Sequence, residues 1–322
     1  MSRLLSPETP LEWLAQTAHT QTVQRFGHVM QLFAPLYLSN LCYNHCTYCG
    51  FSVVNKYPRK TLTMTELMAE CAVLHNQGFR HSLLLTGEAP GAVDVPYISQ
   101  AIAVAKRYFT SVGIEIQPMN QADYTALINA GADSLTLYQE TYHRPTYLHH
   151  HKKGKKRNYD HRLAAVDAGA KAGFHRLTLG FLLGLYDWRA EALALAQHLT
   201  RLRTDYPAVT FGVSFPRIQD MIGEYTVAYP VSDADLVRLI TAFRLVFPDV
   251  SITLSTRERP ELRDNLVKLG ITLMSAASKT NPGGYAGQDS ESQFEIADHR
   301  SCQAIAMMLK TKGYCPVYTD WV

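Results

Sequence analysis

Between residues 35 and 275 the chain alternates short apolar, β-rich runs with amphipathic stretches of helical spacing, and few folds accept that rhythm. The strand-like runs are 36–41, 81–86, 113–117, 134–139, 176–182, 210–215, 251–255 and 271–275. Strands separated by helices pair in parallel, because each crossover helix returns the chain to the same end of the sheet. Eight such strands are the number that closes a barrel. The sequence therefore predicts an α/β fold, a (β/α)8 barrel of the TIM type over 35–322 that includes a C-terminal helix at 299–312 and a short tail. Residues 1–34 are expected to form a helical extension, with one or two helices within 7–31.

Start and stop signals support the helices. Thr63 precedes Glu66 by three residues, and Ser232 precedes Asp235 likewise, each before an apolar-periodic run, which is the pattern of a capping box. Gly78, Gly113, Gly131, Gly173 and Gly270 fall between a helical stretch and the next strand and are expected to cap or turn there.

A chain of 322 residues with 47% hydrophobic and 18% charged residues has material for a sizeable core. Its net charge of +3, spread along the sequence, does not form the basic face that nucleic acid requires. No run approaches the roughly 18 apolar residues of a membrane span, and no signal segment opens the chain. These features place it in the cytoplasm without a membrane or nucleic-acid partner. There the six cysteines are expected to be reduced, and a tight group of them points to metal rather than to disulfides.

Three of the six stand on one loop after the first strand: Cys42, Cys46 and Cys49, spaced by three and then two residues. Three thiolates can hold three irons of a four-iron, four-sulfur cubane and leave the fourth iron free for a small molecule, whereas clusters that only carry electrons normally take four. A zinc site completed by His45 is the competing reading of the same loop. In a parallel barrel the C-terminal strand ends line the active site, and polar residues gather there: Thr86-Gly87-Glu88, Gln117, Gln139-Glu140, Arg217, Ser255 with Arg257, and Ser275 with Ser278.

The loop, with the aromatic Tyr48 before its last cysteine, resembles the signature of the radical S-adenosylmethionine superfamily. That resemblance implies a [4Fe-4S] cluster, with S-adenosylmethionine (SAM) chelated through its amino and carboxylate groups to the open iron and cleaved to a 5′-deoxyadenosyl radical. It further implies that Thr86 and Glu88 hold the methionine amino group, Glu140 the ribose hydroxyls and Arg162 the methionine carboxylate. Longer stretches, among them 36–42, 48–52, 138–143, 214–217, 254–258 and 278–285, resemble the 2-iminoacetate synthases. The resemblance implies cleavage of the Cα–Cβ bond of L-tyrosine to 4-cresol and 2-iminoacetate for the thiazole of thiamine, with flavodoxin or a ferredoxin-type donor and a thiazole synthase as partners. Arg257 then binds the substrate carboxylate, as an arginine does at the matching place in tryptophan lyase, and Tyr37 and Ser275 fall at substrate-contact positions.

Three alternatives stay open at this level: a lyase for another aromatic amino acid, the tyrosine lyase of hydrogenase maturation, and a non-catalytic iron or zinc sensor. Cys302 and Cys315 are too few for the second cluster that the hydrogenase maturase carries. The sensor draws on the basic run 151–157, which otherwise reads as a solvated loop. The chain stops at Asp320-Trp321-Val322, a shorter tail than that family's.

Overall fold

The computed structural model describes residues 1–223 and 225–319; the tail residues 320–322 lie outside the described part. Eight parallel strands close a barrel: β1 (Val29–Ser39), β2 (His81–Thr86), β3 (Ser111–Glu115), β4 (Ser134–Thr136), β5 (Arg176–Gly180), β6 (Thr210–Ser214), β7 (Ser251–Leu254) and β8 (Leu273–Ser275). Closure comes from β8 against β1, with Gln31 opposite Leu273 and Phe33 opposite Ser275. A ninth strand, β9 (Cys315–Val317), extends the sheet along the first residues of β1.

All eight expected strands are present, with shifted ends. β1 starts at Val29 rather than 36, because Pro35 does not end it. Pro35 has no N–H to give a ladder, but it stands past the last residue that pairs with β8, and its carbonyl accepts from the Tyr285 hydroxyl at 2.7 Å. β4 is shorter than expected, and residues 137–139 continue the bonding to β5 through Leu137 N–H to Thr178 O and Gln139 N–H to Gly180 O.

Successive side chains of the strands point alternately outward and into the barrel, and both faces are covered. On β1, Leu32, Ala34, Leu36 and Leu38 point outward into the apolar layer beneath the helices, while Phe33, Pro35 and Tyr37 point into the barrel. Burying each such leucine is worth about 1.5–3 kcal/mol, so a one-residue slip would turn the whole set the wrong way. Both capping boxes are formed, Thr63 with Glu66 and Ser232 with Asp235. Helices at Ser2–Leu5 and Leu11–Phe26 precede the barrel, and the second packs Leu14, Ala18 and Thr22 inward on the helix Asp233–Val246.

Gly78, Gly131, Gly173 and Gly270 take positive φ between helix and strand. Gly113 does not. It lies inside β3, where a Cβ would meet Ser134 Oγ at 2.7 Å and Leu83 Cδ1 at 3.1 Å, so its missing side chain serves close packing rather than a turn. A further pair the sequence did not announce, His45–Cys46 against His151–Lys153, runs antiparallel above the barrel mouth and ties the cysteine loop to the basic run.

Candidate active site

The cysteine loop leaves β1 at the C-terminal end of the barrel and is held from several sides. Tyr43 N–H donates to Glu88 O at 2.9 Å, Thr47 N–H to His150 O at 3.1 Å and Gly50 N–H to Gln293 O at 3.0 Å. Asn44 is the central tie: its Nδ2 donates to Glu88 Oε2 at 2.6 Å, and its Oδ1 accepts from Lys156 N–H at 3.0 Å. The Arg59 guanidinium gathers the carbonyls of Asn40, Phe51, Ser52 and Asn55. A loop so bound spends little conformational entropy on a ligand.

Cys42, Cys46 and Cys49 are all free thiols. Burial pushes the Cys46 and Cys49 thiols up, and the neighbouring thiols add to it, so three thiolates here require a cationic partner. Two side-chain amides point at the sulfurs, Asn44 Nδ2 to Cys42 Sγ and Gln293 Nε2 to Cys49 Sγ, each at 3.7 Å, as N–H···S donors do around iron–sulfur clusters. The donor set therefore fits a cubane. Among the described residues no three His, Cys, Asp or Glu side chains form a group that could hold a single metal ion, and the His45 backbone lies opposite Lys153 in the antiparallel pair.

Below the loop, the barrel encloses a cavity lined by Tyr37, Tyr48, Cys49, Glu140, Arg257 and Ser275, among others. Thr86, Glu88 and Arg162 do not line it. The Thr86 hydroxyl donates to Gln117 Oε1 at 3.3 Å. Glu88 accepts from Asn44 through Oε2, and no donor among the described residues reaches its Oε1. Arg162 is committed to Glu140 Oε1 at 3.2 Å and to Tyr138 O at 2.6 Å.

Glu140 adopts φ 71°, a left-handed backbone that costs a non-glycine residue about 1 kcal/mol or more and marks functional positions. Burial alone would raise its carboxyl, but Lys156 and Arg162 outweigh that and hold it below the usual range. Both cations bind Oε1, Lys156 Nζ at 2.7 Å, which leaves Oε2 for a ligand. Lys156 is thus the exception in the basic run: Lys152, Lys153 and Lys155 are exposed, as a solvated loop requires, whereas Lys156 turns into the site.

Tyr48 donates to His151 Nε2 at 2.7 Å, because His151 Nδ1 carries its proton toward Tyr147 O, also at 2.7 Å. Burial, helped by Lys156 and Arg162, lowers the His151 pKa well below the usual value, so the ring stays a neutral acceptor. Tyr37 donates to Gln293 Oε1 at 2.7 Å. Ser275 Oγ accepts from Thr256 N–H at 3.0 Å. Arg257 lies over the Phe294 ring, 3.4 Å from its centroid, and has no carboxylate within ion-pair distance among the described residues. Arg217, the other arginine at a strand end, is spent on Glu258 and Asp233. Arg257 Nη1 donates to the Arg217 carbonyl at 3.4 Å, and a guanidinium without an acidic partner that faces a cavity is a site for an anion.

Gln293, Lys156 and Glu115 were missed by the sequence reading. Gln293 sits in a loop without periodicity, and Lys156 was masked by its basic neighbours. Glu115 carried a usable signal, a charged residue on the inward register of the strand run Gly113-Ile114-Glu115-Ile116.

A closed parallel barrel with three thiols on the loop after its first strand defines the radical SAM class. The sequence profile of the radical SAM superfamily matches residues 36–198, and that of the Biotin and Thiamin Synthesis associated domain matches 214–315. The chain is 42% identical to 2-iminoacetate synthase of Escherichia coli (strain K12) over 325 aligned residues, covering 100% of this chain and 86% of that protein. It is 42% identical to the Salmonella typhimurium enzyme of the same name, covering 99% and 85%. A solved structure of HydG, a maturase of the [FeFe]-hydrogenase, superposes with a TM-score of 0.94 at 34% identity, covering 98% of this chain and 71% of that one. The chain belongs to the 2-iminoacetate synthase family of radical SAM enzymes. No helix of the described residues is long and apolar enough to cross a membrane.

Proposed function

We propose that this protein cleaves the Cα–Cβ bond of L-tyrosine to 2-iminoacetate and 4-cresol, converting SAM to 5′-deoxyadenosine and methionine. The observation that carries the reading is Arg257, a guanidinium without an acidic partner among the described residues, facing a cavity whose mouth is the three-cysteine loop. Family membership narrows the anion to the carboxylate of an aromatic amino acid.

Cys42, Cys46 and Cys49 would hold the cluster, with Asn44 and Gln293 donating to two of the sulfurs. When bound, cluster and SAM supply the radical that begins the reaction. Glu140 Oε2 is free to accept the ribose hydroxyls, and Glu88 Oε1 to accept the methionine amino group, in each case the oxygen that no donor among the described residues uses. Arg162 acts through Glu140, and its charge draws the methionine carboxylate to that side. Thr86 sets the position of Glu88 by ending β2. Arg257 and Ser275 fix the tyrosine carboxylate, and Tyr37 borders the amino group; positioning of this kind brings a reacting atom to within about 3–3.5 Å of its target. The enclosed barrel keeps water from reactive intermediates.

The exposed lysines 152, 153 and 155 flank the cysteine loop and suit an acidic electron donor of flavodoxin or ferredoxin type. A thiazole synthase is the partner that would consume the unstable imine, and a reducing cytoplasm suits the thiols. Incubating the reconstituted protein anaerobically with SAM, a strong reductant and L-tyrosine is expected to yield 4-cresol together with glyoxylate, the hydrolysis product of 2-iminoacetate. Turnover of tryptophan with none of tyrosine would refute the assignment.

A further inference from the structure

Glu115 is the acidic side chain in the cavity that the roles above leave unused. It closes β3, is level with Leu85 and Tyr37 across the neighbouring strands, and lines the cavity. Among the described residues no donor lies within hydrogen-bond distance of its carboxylate, and it forms no ion pair. The Tyr37 hydroxyl, on the strand beyond Leu85, is engaged elsewhere, donating to Gln293. Glu115 is half-buried with its carboxylate open to the cavity, so a ligand entering there meets an acceptor that no donor among the described residues has taken.

The topology indicates which part of the ligand that is. Around the closed ring of eight strands, β3 stands opposite β7, after which Arg257 follows. The ammonium of an amino acid sits on the carbon next to the carboxylate, so the group that reads it must lie on Arg257's side. The para-hydroxyl of tyrosine is the far end of the molecule. Between the two walls lie Phe33, Leu83, Leu85 and Leu182, an apolar slot for a ring.

Resting on the tyrosine reading, we propose that Glu115 is the specificity-determining residue that hydrogen-bonds the phenolic hydroxyl of the substrate. Burial, with Glu140 adding to it, pushes the Glu115 carboxyl up to about 7 against the pull of Arg257. A phenol suits both protonation states, donating to the carboxylate and accepting from the acid; an ammonium pairs only with the first. Sites built to hydrogen-bond a substrate hydroxyl reject the analogue lacking it by up to about 10⁴–10⁵-fold.

The test is equilibrium binding to the reconstituted, SAM-loaded protein, in wild type, Glu115→Gln and Glu115→Leu. The ligands are L-tyrosine, L-phenylalanine, which lacks the hydroxyl, and 3-(4-hydroxyphenyl)propionate, which lacks the amine. Wild type should prefer tyrosine to phenylalanine by about 10²-fold or more. Glu115→Leu should bring the two within about threefold by weakening tyrosine, while phenylalanine binding stays or improves; Glu115→Gln, able to hydrogen-bond, should keep part of the preference. The preference for tyrosine over the propionate should survive in both variants. Equal losses for tyrosine and phenylalanine, or collapse of the preference for tyrosine over the propionate, would overturn the role. Wild-type cresol formation reports on the tyrosine reading separately: with cresol formed, either result removes Glu115 alone, and with neither cresol nor tyrosine binding both ideas fall.

Discussion

Gln293 Nε2 lies 3.7 Å from the sulfur of Cys49, a contact between residues 244 positions apart. The same side chain accepts the Tyr37 hydroxyl, so one amide joins a cluster cysteine to the substrate cavity. An N–H···S bond stabilises the more negative, reduced cluster. Gln293→Leu is expected to keep its iron and sulfide but to lower the reduction potential by a few tens of mV, given about 60 mV for each 1.4 kcal/mol in a one-electron couple. Redox titration followed by electron paramagnetic resonance reads this directly; an unchanged potential would remove the contact from the account.

Cys46→Ala removes one of three thiolates from a cluster that has no fourth protein ligand. The variant should lose the iron–sulfur absorbance after reconstitution and all cleavage of SAM. Iron analysis and assay of 5′-deoxyadenosine check both, and full activity in the variant would contradict the ligand set.

Arg257→Ala should leave the cluster spectrum intact while lowering kcat/KM for tyrosine by about 30- to 1,000-fold, the range for losing a charge-assisted carboxylate contact of about 2–4 kcal/mol. Because Arg257 has no carboxylate partner among the described residues and gives up only its place over Phe294 and a 3.4 Å bond to the Arg217 carbonyl, the fold should change little in stability. Unaltered kinetics would take Arg257 out of the site.

Glu140 carries the pH prediction. Its carboxyl is held below the ordinary value of 4.5 in the fold, so its contribution to stability is present above that value and is lost as pH falls through the depressed one. Lys156→Met removes the closer of the two cations bound to Glu140 among the described residues and raises that carboxyl toward its usual range. Acid unfolding should then set in at higher pH, with about 1–3 kcal/mol less stability at neutral pH, measurable by denaturant titration at several pH values.

Gly154 takes φ 94°, and a Cβ there would lie 2.0 Å from Asn44 Oδ1. Gly154→Ala should therefore displace the asparagine that ties Glu88 to the cysteine loop, and so weaken SAM binding more than tyrosine binding. Equal effects on both ligands would mean that the damage is general.

The barrel was legible because each strand is a short apolar, β-rich run with its own punctuation; β1 begins at Val29, ahead of the run read from 36, because Pro35 stands past the last residue that pairs with β8. The loop of three thiols and the place of Arg257 after a strand end were readable for a different reason, since their spacing and neighbouring residues form long motifs. Lys156 and Gln293 were not, because what singles them out is a contact made in three dimensions: Lys156 with Glu140, and Gln293 with Tyr37 and Cys49. β9 escaped notice for the same reason, three residues whose sheet partner among the described residues is the start of β1.

The most direct test of the whole account is the molar ratio of 4-cresol to 5′-deoxyadenosine formed by the reconstituted wild-type protein with L-tyrosine under anaerobic reduction. The account predicts that the two accumulate together at close to one to one, with glyoxylate matching the cresol. Deoxyadenosine accumulating without cresol would contradict it.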